Sequence, residues 1–122
     1  WLNDILTNPS TKSYRVFARK DLFDPAMLII GQFEAWLKGK KRESQLKTFY
    51  TKLGLQRKKD GIPVEELVSS LSLLKKHIWM FTYSFGVWEK AVDIYRMFEL
   101  GERLVYFFDK ASYYTVMGYN QA

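Results

Sequence analysis

The run Arg57-Lys58-Lys59-Asp60-Gly61-Ile62-Pro63-Val64-Glu65-Glu66 constrains the fold most, because it stops one helix and at once starts another. Asp60-Gly61 closes the first helix through a left-handed glycine and Pro63 suits the first turn of the next. Glu65-Glu66 then fall where the positive end of the helix dipole favours acids. Downstream, Val64, Leu67, Val68, Leu71, Leu74, Ile78, Phe81 and Phe85 recur every three or four residues and form one apolar stripe. The pattern predicts a long amphipathic helix from Pro63 to about Phe85. No side chain in the stripe is reactive, so the feature specifies architecture and discloses no chemistry.

Around this junction the rest of the chain also carries helical spacing. Trp1 to Leu6 reads as a helix tail ended by Asn8-Pro9-Ser10. Tyr14, Phe17, Ala18 and Phe23 fit a short helix, but Arg15, Arg19 and Lys20 suit a loop equally well, and the packing of residues 1–23 stays open. Asp24-Pro25 predicts a helix start, the acid as cap and the proline at the first position, running through Met27, Leu28, Ile30, Phe33, Trp36 and Leu37 to Gly39. A further helix starts near Glu43, carries Leu46, Phe49, Tyr50, Leu53 and Leu55, and ends at Asp60-Gly61, with Gly54 as a modest weakness. Gly86 is expected to break or bend the long helix. Val87, Ala91, Ile94, Tyr95, Phe98, Leu104, Val105, Phe108, Ala111, Tyr114 and Met117 then resume the period; Gly101 leaves one bent helix and two helices both open. With no strand-period run and no internal repeat, the expectation is one all-α domain over residues 1–122, a bundle of about five to six helices.

Composition limits the chemistry. A chain of 122 residues with 48% hydrophobic content supports one core and is short for two. The aromatic share of 17% exceeds what a small core needs, which points to some rings on an interaction surface. The absence of cysteine excludes disulfides, thiolate catalysis and cysteine-ligated metals, and fits a reducing, cytoplasmic setting. A net charge of +6 invites a nucleic-acid reading. The cations, however, gather at Lys38, Lys40, Lys41 and Arg42 and at Arg57 to Lys59, where helix ends and a connection are expected. C-terminal cations complement the helix dipole, and no recognised nucleic-acid motif accompanies them, so no nucleic acid is expected; a basic adaptor for an acidic partner is a third reading. No run approaches the ~18 apolar residues of a membrane span, and Trp1 to Leu6 does not read as a leader, so no membrane partner is expected. The missing initial Met and the ending at Tyr119-Asn120-Gln121-Ala122 suggest a piece excised from a longer protein.

The junction also carries a family likeness. Arg57, Lys59, Asp60-Gly61, Pro63 and Glu66-Leu67-Val68, followed by Leu73-Leu74-Lys75-Lys76, Phe108-Asp109-Lys110-Ala111 and the closing Tyr119, resemble the signature of the RsbR-type N-terminal sensor domain of stressosome proteins. The resemblance covers most of the chain from Asp24 onward; the segment before Asp24 departs from it. It implies a globin-like helical fold that usually lacks haem, pairs as a homodimer and serves as the input module of a bacterial signalling protein. The last helix would lead into an output domain outside this chain, either a STAS domain or a histidine kinase.

Among single residues, His77 is the one candidate haem ligand, at the border of the apolar stripe. A half-buried histidine with a local hydrogen bond explains it more simply, and no cofactor is expected. Trp79, Phe81, Phe85 and Trp88 are candidates to line a pocket for an apolar ligand such as a fatty acid, or else fill the core. Tyr106, Phe107 and Tyr113 fall around several faces of the last helix, which predicts a second partner surface and makes them candidates for a dimer interface. Glu65-Glu66 and Asp109 lack any histidine, nucleophile or glycine-rich loop at a useful spacing, so no catalysis is expected. The sequence points to a regulatory domain acting through rearrangement of a dimer, with a haem- or lipid-binding sensor as the alternative.

Overall fold

The computed structural model describes residues 1–85 and 91–121, with side chains for residues 1–80 and 95–121. Every regular element among them is helical: α1 (Leu2–Thr7), a 3-10 segment (Pro9–Val16), α2 (Arg19–Leu37), α3 (Glu43–Lys59), α4 (Val64–Phe85) and α5 (Ala91–Asn120). The chain is an all-α bundle, as the periodicity requires. Gly39 and Gly61 follow α2 and α3 with φ of +73° and +78°, so both predicted glycine stops are in place.

One expectation changes and one open alternative is resolved. First, α2 begins at Arg19 instead of at Asp24-Pro25, and Pro25 lies inside it. A proline within a helix forfeits one backbone hydrogen bond and costs on the order of 3 kcal/mol. The extra turn is kept because it buries Leu22, 1% exposed, against Ile5, Tyr14, Ile62 and Leu67. Second, α5 runs unbroken through Gly101 for 30 residues, about 45 Å at the helical rise. Glycine serves a packing purpose there, since a Cβ would stand 3.2 Å from the Trp79 ring. The bend predicted at Gly86 and the pocket candidate Trp88 lie outside the described residues.

Helices α3 and α5 form the most extensive pair in the bundle. Their backbones meet at two glycines. A Cβ on Gly54 would fall 2.0 Å from the Thr115 carbonyl oxygen, and one on Gly118 would fall 2.2 Å from that of Thr51. No real Cβ reaches such distances, so only glycine permits the crossing. The main core spreads from this contact: Phe107 and Phe108 of α5 pack on Phe33 of α2, and Tyr50 of α3 and Leu71 and Leu74 of α4 close round them. Phe33 and Phe107 have ring centroids 5.2 Å apart and inclined at 60°, a favourable tilted pair. A second, smaller cluster at the other end joins α1, the 3-10 segment, α2 and the start of α4.

Alanine at position 54 or 118 is therefore expected to destabilise the fold by about 3 kcal/mol or more, since helix backbones must part to admit the methyl. Gly31→Ala is the control: it lies within α2 with nothing within 4 Å of its would-be Cβ, so it should gain about 0.5–1 kcal/mol. Urea melts of the three variants check the ordering, and similar effects at all three positions would refute the crossing.

Candidate functional site

Two charged residues of the Arg57–Val68 stretch, Arg57 and Glu66, are buried and bind the fold together, while Lys58, Lys59 and Glu65 are exposed. Arg57 is only 9% exposed; its guanidinium donates to Asp60 at 3.2 Å and lies over the rings of Tyr14 and Phe17, at 5.6 and 5.0 Å from their centroids. Sequence reading gave this arginine only a helix-end role. Glu66, near the start of α4, accepts from the Ser13 amide at 2.8 Å and from the Ser13 hydroxyl, which ties α4 to the 3-10 segment. Burial by itself would raise the Glu66 carboxyl; the two Ser13 donors outweigh it and, with Lys12 nearby, hold the group below the ordinary glutamate range. Tyr119 donates from its hydroxyl to the Ile62 carbonyl at 2.8 Å, fastening the end of α5 to the same corner. Through these contacts Arg57, Glu66 and Tyr119 act as structural clamps at one corner of the bundle.

His77 is placed similarly. Its Nε2 lies 2.9 Å from an Asp4 carboxylate oxygen, joining α4 to α1, and the His77 hydrogen bond, followed by that from Asn8, lowers the Asp4 carboxyl below its usual range. The partner is 73 positions away, so the hydrogen bond is tertiary where a local one was expected. On α5, the Tyr114 hydroxyl donates to Glu43 at 2.6 Å, and that acceptor, with burial second, pushes the phenol up to about 12. Among the described residues no group of three or more His, Asp or Glu side chains is arranged to hold a metal ion.

The feature that remains is a groove. It runs between α4 and α5, has a volume of about 640 Å³, and is lined by Lys75, Lys76 and Trp79 from α4 and by Phe98, Gly101, Glu102, Leu104, Val105, Tyr106 and Asp109 from α5. The two helices are antiparallel along it, because Trp79 lies opposite Gly101 whereas Val68 shares the next stretch with Ser112, Tyr113 and Val116. Its lining is mostly apolar, with four charged side chains among it, Lys75, Lys76, Glu102 and Asp109. Helix α5 buries Leu104, Phe107, Phe108, Ala111 and Thr115 on its inner side, and on the outer side leaves Tyr95, Phe98, Val105, Tyr106 and Tyr113 between 48% and 75% exposed. Five large side chains bared along one helix form a patch of the kind that marks an interaction site.

Of the expected pocket residues, Trp79 lines the groove; the side chains of Phe81 and Phe85 lie outside the described ones. His77 does not line it. Of the expected interface residues, Tyr106 and Tyr113 are half or more exposed and border the groove or its extension. Tyr106 is also stacked on Trp36, with centroids 5.8 Å apart and planes at 14°. Phe107 is a correction: it is 1% exposed and sits among Phe33, Trp36, Tyr50 and Phe108. One position along a helix turns a side chain by 100°, so Phe107 points to the core where Tyr106 points out.

Glu66 also yields a pH prediction. Its folded-state pKa is depressed, so its contribution is complete above the unfolded value of about 4.3 and fades as pH falls through the lower folded value. Denaturant stability should decline on acidification through this window, and the decline should be shallower in Glu66→Gln. An unchanged slope in the variant would remove Glu66 from the account.

Compared with known proteins, the chain matches no family model, no curated sequence and no solved structure.

Proposed function

We propose that this chain is a non-catalytic regulatory input domain that works through self-association, of the RsbR-like, globin-like kind its junction sequence resembles. The observation that carries the reading is the two-sided helix α5. Its inner face completes the core and its outer face keeps Tyr95, Phe98, Val105 and Tyr113 bare beside an open groove. A helix apolar on two sides is built to meet a second surface. In this reading a signal alters how α4 and α5 pack, the paired domains change arrangement, and the change passes along α5 to an output domain such as a STAS domain or a histidine kinase. The signal must favour one arrangement energetically, or nothing shifts.

A second reading has its own support in the same groove, whose volume lies in the ~300–1,000 Å³ range of small-molecule sites. Its lining would suit a fatty acyl chain resting against Trp79. Mass spectrometry of the purified chain separates the two readings: a stoichiometric co-purified lipid favours the carrier role.

Sedimentation across a wide concentration range tests the proposal. Reversible self-association is expected. Val105→Glu with Tyr113→Glu should weaken it while helicity stays unchanged. Phe107→Ala should instead cost about 3–5 kcal/mol of stability through the lost core ring. A monomer at every concentration, or substrate turnover by this chain alone, would overturn the proposal.

A further inference from the structure

The charges on the groove specify how two copies meet, an inference that rests on the self-association reading and sharpens it. Along the outer side of α5, Phe98, Glu102, Val105, Asp109, Ser112 and Val116 follow the alternating four-three spacing of a helix-pairing seam. Two of those six positions are acids one heptad apart, and both are exposed. Were α5 to pair in parallel with α5 of a second copy, Glu102 would face Glu102 and Asp109 would face Asp109. Like charges brought together at an interface are strongly unfavourable. The opposite wall of the same groove carries Lys75 and Lys76, on α4. Among the described residues, none of these four side chains takes part in an ion pair within its own chain. The groove therefore presents a basic wall and an acidic wall at one height along the helices, although Lys76 also lies near enough to Asp4 to help lower its carboxyl.

We propose that a second copy of this chain occupies the groove by setting its α5 against α4, about a two-fold axis parallel to the helices. Such an axis leaves height along the helices unchanged. Lys75 and Lys76 of each copy then meet Glu102 and Asp109 of the other, and Val105 and Phe98 are covered by the neighbouring α4. The result is a four-helix arrangement in which α4 and α5 alternate between copies, with both α5 ends leaving on the same side. Balanced walls also argue against a free fatty acid as the occupant, since its carboxylate would meet two acids as well as two lysines.

Salt and charge exchange test the geometry. Wild-type self-association should weaken as salt is raised, because opposite charges are brought together. Pairing of α5 on α5 would instead strengthen with salt, which would overturn the proposal. Lys75→Glu with Lys76→Glu, and separately Glu102→Lys with Asp109→Lys, should each weaken the homodimer by about tenfold or more, with circular dichroism confirming that both stay folded. Mixing the two double variants should restore a heterodimer, read by native mass spectrometry. If both double variants dimerise like the wild type and their mixture shows no preference, the groove is not the interface although self-association survives. If the wild type never associates, the functional reading falls together with this one.

Discussion

The approach of two backbones at Gly54 and Gly118 is the constraint from which the rest of the arrangement follows. With no side chain between them, α3 and α5 lie so close that the rotation of α5 about its axis is fixed. Ala111, Thr115 and Gly118, at spacings of four and three, form its small-residue face toward α3, and Leu104, Phe107 and Phe108 are thereby turned into the core. Once that side is committed, Tyr95, Phe98, Val105 and Tyr113 have nowhere to go but outward. The bare face of α5 is thus a geometric consequence of the crossing, and the core aromatics confirm it: Phe107 alone touches Phe33, Trp36, Tyr50 and Phe108.

Helix identity was legible because it depends on local rules. The stops at Gly39 and Gly61, the start at Glu43 and the stripe through Leu67, Leu71 and Leu74 all follow from residues within a turn or two of one another. What was hidden depends on partners far away in sequence. Pro25 reads as a helix start in isolation; the extra turn before it exists because Leu22 finds Ile62 and Leu67. Phe107 and Tyr106 read alike until α3 and α2 supply the neighbours that bury one and leave the other half exposed. Gly54 reads as a weak point, although Thr51 and Gly54 on one helix and Thr115 and Gly118 on the other form a small-residue stripe that signals close packing. Of the residues lining the groove, the sequence singled out Trp79 as a pocket candidate and Tyr106 as an interface candidate; the opposed Lys75-Lys76 and Glu102-Asp109 walls it did not, because charge on a helix surface acquires meaning only when the facing helix is known.

The junction at residues 57–66 shows how charged side chains become structural at the edge of a core. Arg57 combines a salt bridge with two aromatic faces, so its charge is partnered although its exposure is small. Glu66 is satisfied by a backbone amide and a hydroxyl from Ser13. Together with the Tyr119 to Ile62 hydrogen bond they knit the second cluster to the ends of α3, α4 and α5. Not every polar group is so served. Among the described residues the buried Tyr50 hydroxyl has no hydrogen-bond partner, and burial pushes its phenol far above the ordinary range.

The same glycine crossing divides the bundle into stiff and compliant parts. Main chain packed on main chain has no rotamers through which to yield, so the α3–α5 contact is the stiffer of the two. The α4–α5 seam is different, for it is separated by long side chains and an open trough that can be filled or emptied without breaking backbone contact. Parting α4 from α5 along that trough therefore disturbs side-chain contacts, whereas parting α3 from α5 must separate main chain from main chain, and the end of α5 is further held by Tyr119 on the Ile62 carbonyl.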